Sequence, residues 1–196
     1  MVQAIEMPSV NEKITYFTDI GIVNTDETLR IAKEKAITTE TKTIIVASTT
    51  GHTIKKALDI FAGSNTRFIV VGGTKKVFPS DLHEELIKGG HRVIFNEDCS
   101  FSYPDIVWSI LRGFSEGMKV CIEMTLIATD MDYLPVGEEV IAVAGTGRID
   151  FPEGGGADTA IVIEGVKNME FFDTTLPELE RKKKGRRIKE ILCKPR

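Results

Sequence analysis

Apolar residues recur along this chain in two rhythms. Short uninterrupted runs of strand length, Thr43 to Ala47 (TIIVA), Phe68 to Val71 (FIVV), Arg92 to Phe95 (RVIF), Glu139 to Ala144 (EVIAVA) and Thr159 to Glu164 (TAIVIE), show little polar alternation. Such runs suit strands covered on both faces. The segments between them follow a period of three to four. TLRIAKEKAIT places Leu29, Ala32 and Ala36 on one side with charges between them, and Thr53 to Phe61 does the same with Ile54, Leu58 and Phe61. SDLHEELIKGG opens on capping residues after Pro79 and closes on two glycines, and Pro104 to Phe114 spaces Ile106, Val107, Ile110 and Leu111 helically. These are predicted helices. Lys13 to Phe17 (KITYF) reads as a short first strand, with Asn24, Thr25 and Asp26 offering capping side chains to the helix that follows. Strand and helix alternate, which predicts a parallel sheet with helices laid over it. EVIAVA and TAIVIE are joined by about a dozen loop residues, which predicts an antiparallel return, and IKEILC near the end is expected to add an edge strand.

Lys119 to Thr129 (KVCIEMTLIAT) resists these rules: its β-branched content suits a strand, while its length and the following TDMDY suit a helix buried on most sides. Composition narrows the class of protein instead. With 196 residues, one domain spanning 1–196 is expected, with a C-terminal extension from about 165. No apolar run nears the roughly 18 residues of a membrane span, and the N-terminus lacks the pattern of a secretory signal, so no membrane association and a cytoplasmic location are expected. Cys99, Cys121 and Cys193 are odd in number and far apart, which argues for reduced thiols. The net charge of −4 gives no reason to expect nucleic acid, although Arg181 to Arg187 (RKKKGRR) is a basic run, read as a solvated segment or a docking surface for an anionic partner.

The candidate chemistry centres on Val46 to Thr53 (VASTTGHT), where an apolar run ends in a hydroxyl-rich turn with one glycine and a helix pattern begins. The first N–H groups of a helix lack internal partners and carry partial positive charge, so phosphate fits there without a lysine. Ser48, Thr49, Thr50 and Thr53 add hydroxyl donors, Gly51 is expected to let a ligand approach the backbone, and His52 stands beside them. The same pattern also describes an ordinary helix cap. Glycine-ended turns follow two other runs, Gly72-Gly73-Thr74 and Gly145-Thr146-Gly147, and a loop GGGADT, Gly154 to Thr159, leads into the run TAIVIE. In a parallel sheet these turns gather at one carboxyl edge, where α/β proteins bind ligands. P-loop, dinucleotide-fingerprint, nucleophile-elbow and HExxH motifs are absent, and His52, His83 and His91 show no metal-ligand spacing, so no metal is expected and no catalytic residue is assigned. Trp108 reads as a packing residue before a stacking one, and Asp130 and Asp132 as solvated or capping groups. Glu123 stands within an apolar stretch, where a carboxylate needs a partner; a buried anchor and a ligand-handling group are both open.

TLRIAKEKA, TIIVASTTGHT, PVGEEVIAVAGTG and ADTAIVI together resemble the C-terminal α/β domain of pyruvate kinase over most of residues 24–163. The resemblance implies a three-layer α/β/α sandwich, mostly parallel with an antiparallel last strand, and implies that KVCIEMTLIAT is helical. Tyr16-Phe17, Asn24-Thr25, Cys121 with Glu123, Gly156 to Ala160, Phe171 to Asp173 and the final Pro195-Arg196 are more specifically similar to stand-alone, mainly archaeal proteins built on that domain. The chain departs from them between Thr74 and Tyr103 and at RKKKGRR. Pyruvate kinase activity is not expected, because its active site lies in a barrel for which this chain has no room. The enzyme's domain holds a sugar-phosphate effector in the turn matching Ser48 to Thr53, and the stand-alone proteins resemble flavoproteins able to hold FMN. The resemblance therefore implies phosphate at Ser48 to Thr53 and a cofactor, FMN, bordered by Gly72, Gly73, Thr74, Glu123, Gly145, Thr146, Gly147, Gly156, Ala157, Asp158 and Thr159. A phosphorylated small molecule and a homo-oligomer are the expected partners. The competing readings are a non-catalytic sensor for a sugar phosphate or nucleotide and, ranked last, a nucleic-acid binder using Lys182 to Arg187.

Overall fold

A computed structural model describes residues 10–99, 101, 104–147, 155–173, 175, 177–180 and 187–196. In chain order the elements are β1 (Thr15–Phe17), α1 (Thr25–Thr38), β2 (Thr43–Ala47), α2 (His52–Ile60), β3 (Arg67–Gly72), α3 (Ser80–Lys88), β4 (Arg92–Phe95), α4 (Asp105–Arg112), α5 (Glu116–Asp130), β5 (Glu139–Ala144), β6 (Thr159–Glu164), α6 (Asn168–Phe171) and β7 (Ile188–Pro195). The seven strands form one sheet in the order β1-β7-β6-β5-β2-β3-β4. Pairing is parallel between β2 and β3, β3 and β4, β2 and β5, and β1 and β7. β6 is antiparallel to both of its neighbours, β5 and β7, so it alone runs against the other six.

The uninterrupted apolar runs are explained by helices on both faces. In β2, Ile44 and Val46 meet one face cluster while Ile45 meets the other; in β3, Phe68 and Val70 divide from Ile69 and Val71 in the same way. Leu29 and Ala32 of α1, Ile54 and Ala57 of α2, and Leu82 and Leu86 of α3 cover the first face. Met118, Ile122 and Leu126 of α5, joined by Leu111 of α4, cover the second. Period two in the strands and period 3.6 in the helices thus close the same two cores.

α5 resolves the ambiguous segment as a helix. Its side chains are buried from Gly117 to Met124 with few exceptions, then continuously to Thr129, so no polar face marks it in the sequence. Ser115 caps it by accepting a hydrogen bond from Met118 N at 2.9 Å. Thr125 and Thr129 donate their hydroxyls to Cys121 O and Thr125 O, both at 2.8 Å, which satisfies them inside the core. One expectation is corrected: β7 is not an edge strand, because β1 pairs outside it and Arg196 N donates to Phe17 O at 3.0 Å. The two short segments lie far apart in sequence, and nothing local announces their pairing. The basic run falls outside the described residues except for Arg187, which pairs with Glu164. Among the described residues no helix is long and apolar enough to cross a membrane, and no three His, Cys, Asp or Glu side chains cluster as metal ligands.

Candidate functional site

β2 lies where the sheet changes direction: β3 and β4 follow on one side of it, with α2 and α3 on the first face, while β5 arrives on its other side after α5 has crossed the second face. β5 leads into no helix but into the loop that returns as β6, and that loop faces the β2–α2 turn across a crevice at the carboxyl edge. Ser48 N still belongs to the sheet, donating to Val71 O at 3.0 Å, and the chain then turns away into α2. Gly51 is the N-cap residue at φ +86°, and no side chain caps the helix from that position. The buried Ser48 instead accepts from Ile54 N through Oγ, at 3.3 Å.

Gly51 has a different reason from the one the sequence suggests. A Cβ built on it would stand 2.6 Å from Leu82 Cδ2 and 3.3 Å from Pro79 Cδ, so the missing side chain makes room for the start of α3 rather than for a ligand. Its left-handed φ also favours glycine.

A cavity of about 170 Å³ is walled by Ser48, Thr49, Thr50, His52 and Thr53 from the β2–α2 turn, by Ala47 and Val120, and by Gly145, Gly147, Gly155 and Gly156 from the facing loops. His52 Nε2 is buried without a hydrogen-bond partner among the described residues. The opposite wall needs its glycines: a Cβ on Gly145 would strike Gly156 O, and one on Gly156 would strike Ile22 Cα and Thr25 Oγ1. These two loops touch backbone to backbone.

Asp158 holds that wall in place from behind. Fully buried, it accepts through Oδ2 from Gly21 N at 2.7 Å, Thr146 N at 3.1 Å and Thr146 Oγ1 at 2.6 Å, and through Oδ1 from Thr159 Oγ1 at 2.9 Å. Ala157 N donates to Thr25 Oγ1 at 3.0 Å. Thr146, Ala157, Asp158 and Thr159 thus support the cavity and line none of it.

A second cavity, about 250 Å³, adjoins the first along Ala47, Thr49 and Val120. Gly72, Gly73 and Glu123 line it, together with Val71, Met124 and Ile127, and with Asn96, Trp108 and Lys119, which sequence reasoning did not place there. Thr74 lines neither cavity; its carbonyl accepts from Val77 N and Phe78 N, both at 3.3 Å, within the next turn. Glu123 is not isolated: Oε2 lies 3.1 Å from Lys119 Nζ, one helical turn earlier on α5. That spacing of four was the available signal. Lys119 Nζ also lies 3.2 Å from Glu116 Oε1 and 3.9 Å from the centre of the Trp108 ring. Burial pushes the Glu116 carboxyl up, but hydrogen bonds and positive charge from Arg112 and Lys119 outweigh it and hold the group below the usual range.

Together the cavities reach the low end of the roughly 300–1,000 Å³ typical of small-molecule sites. One offers a helix N-terminus, hydroxyls and a histidine; the other offers an apolar floor, an aromatic ring and a carboxylate. No family model matches the chain. Among solved structures, the pyruvate kinase of Cryptosporidium parvum in complex with ADP aligns with 72% of this chain at 16% identity and a TM-score of 0.40. The chain spans 24% of that enzyme's length.

Proposed function

We propose that this protein binds a phosphorylated small molecule in the crevice between β2 and β5, with the phosphoryl group on the Ser48 to Thr53 turn and the remainder of the ligand in the adjoining cavity. FMN is the ligand that the sequence resemblance to stand-alone pyruvate kinase C-terminal-like proteins favours. Any redox chemistry would then belong to the flavin, while the chain supplies binding and orientation. The observation that carries this reading is the cavity bounded on one side by the start of α2 and on the other by the bare backbone of Gly145, Gly147 and Gly156. Helix N–H groups and threonine hydroxyls on one wall, and on the other Gly147, whose Cβ position is open, suit a compact anion.

Thermal denaturation of the full chain with FMN, riboflavin and inorganic phosphate tests it. FMN should raise the midpoint in a concentration-dependent manner, riboflavin much less, and millimolar phosphate should compete. Equal shifts with FMN and riboflavin would remove the phosphate turn from the reading. A shift with a sugar phosphate but none with FMN would instead favour the regulatory-module reading, in which the ligand is sensed and not transformed.

A further inference from the structure

Arg112, Glu116, Lys119 and Glu123 form a chain of alternating charge along one side of α4 and α5. Arg112 Nε meets Glu116 Oε2 at 2.6 Å, Glu116 Oε1 meets Lys119 Nζ at 3.2 Å, and Lys119 Nζ meets Glu123 Oε2 at 3.1 Å. Two positive and two negative groups leave the chain neutral in sum. Its exposed end is Arg112, and the end that borders the second cavity is the acid Glu123. Lys119, the one cation among the described lining residues, has only 7% of its side chain exposed, and it is bracketed by two carboxylates and covered by the Trp108 ring. The remaining described lining residues are apolar or neutral.

We infer that the second cavity selects an uncharged, hydrogen-bond-donating moiety, so that the site takes monophosphates and rejects ligands carrying a second phosphoryl group at the far end. This rests on the phosphate reading of the first cavity. A distal phosphoryl would bring about two negative charges against Glu123, with no cation but the already paired Lys119 among the described lining residues to receive them. A hydroxyl or ring N–H donates to the same carboxylate. Glu123 is thus a specificity-determining residue, acting through repulsion as much as attraction.

Calorimetric titration of the full chain with inorganic phosphate, fructose 6-phosphate and fructose 1,6-bisphosphate tests the inference. The monophosphate should bind at least about tenfold more tightly than the bisphosphate near 0.05 M salt, and the ratio should shrink near ~0.5 M salt as repulsion is screened. In Glu123→Gln the ratio should fall at least about threefold. Equal or tighter bisphosphate binding by the wild type, or a ratio that Glu123→Gln leaves alone, overturns it. If that variant does not fold, the salt dependence of the wild-type ratio decides, and a salt-independent ratio counts against repulsion. Failure of phosphate and both sugars to bind defeats the phosphate reading itself and the inference with it. Binding of phosphate without discrimination defeats only the selectivity.

Discussion

Replacing Asp158 should separate two functions of one buried carboxylate, holding the fold and holding the site. Four donors converge on it, from Gly21, Thr146 and Thr159. In Asp158→Ala the buried Gly21 N–H loses its partner, at a cost of about 1–3 kcal/mol. Thr146 is half-buried and can turn to water, and Thr159 keeps Ser115 Oγ at 3.3 Å, so these losses are smaller. The void left by the carboxylate adds to the cost, whereas removing a buried charge offsets part of it. The sum is about 2–4 kcal/mol, a large share of the ~5–15 kcal/mol that stabilises a typical domain. Asp158→Asn keeps an oxygen for the three donors at Oδ2 and can donate to the Thr159 hydroxyl, so about 1–2 kcal/mol is expected. Urea denaturation should show midpoint losses of roughly 1–2 M for alanine and under about 1 M for asparagine. An alanine variant within about 1 kcal/mol of wild type, or equal losses for both variants, would refute the account. Phosphate affinity should fall with the alanine variant, because Thr146 no longer fixes the Gly145–Gly147 turn; unchanged affinity would remove that turn from the site.

Gly51→Ala should cost about 2–4 kcal/mol, combining its left-handed φ with the contact at Leu82 Cδ2, whereas Gly63→Ala, at φ +77° with nothing near its Cβ position, should cost about 1 kcal/mol. Similar losses at the two sites in chemical denaturation would contradict the packing role given to Gly51. Ser48→Ala removes the acceptor for Ile54 N and should lower stability by about 1 kcal/mol while weakening phosphate binding; calorimetry and urea melts read the two effects separately. Burial holds the His91 imidazole below its ordinary value of 6.5, and Nδ1 accepts from Phe68 N at 3.2 Å. The unfolded chain therefore takes up a proton that the folded chain resists, so this contribution is complete above pH 6.5 and is lost as pH falls from there through the folded-state value. The melting temperature should decline over that window, and less so in His91→Gln; parallel profiles for the two proteins would contradict it.

Both the layered fold and the place of the crevice are foreshadowed by local patterns. Continuous apolar strands require cover on both faces, amphipathic segments between them supply it, and glycine-ended turns after β2, β3 and β5 fall at one edge of a parallel sheet. Local rules failed where burial is complete. α5 lacks a polar face because Met118, Ile122 and Leu126 meet the sheet while α4 and α6 cover more of its surface. Trp108 and Lys119 were hidden for a related reason. Each has an ordinary role within its own helix, and only the packing of α4 on α5 stacks one over the other beside Glu123.

By itself, then, the order of residues determined the strands, most of the helices and the hydroxyl-rich turn at Ser48 to Thr53, since these follow from side-chain periodicity and backbone preferences within a few residues. Only the tertiary structure decided that β7 lies inside β1, that Gly51 yields to Leu82, that Asp158 stands behind the site, and that the second cavity ends on an acid. Those outcomes depend on groups brought together from distant parts of the chain, and no pattern confined to neighbouring residues records which groups will meet.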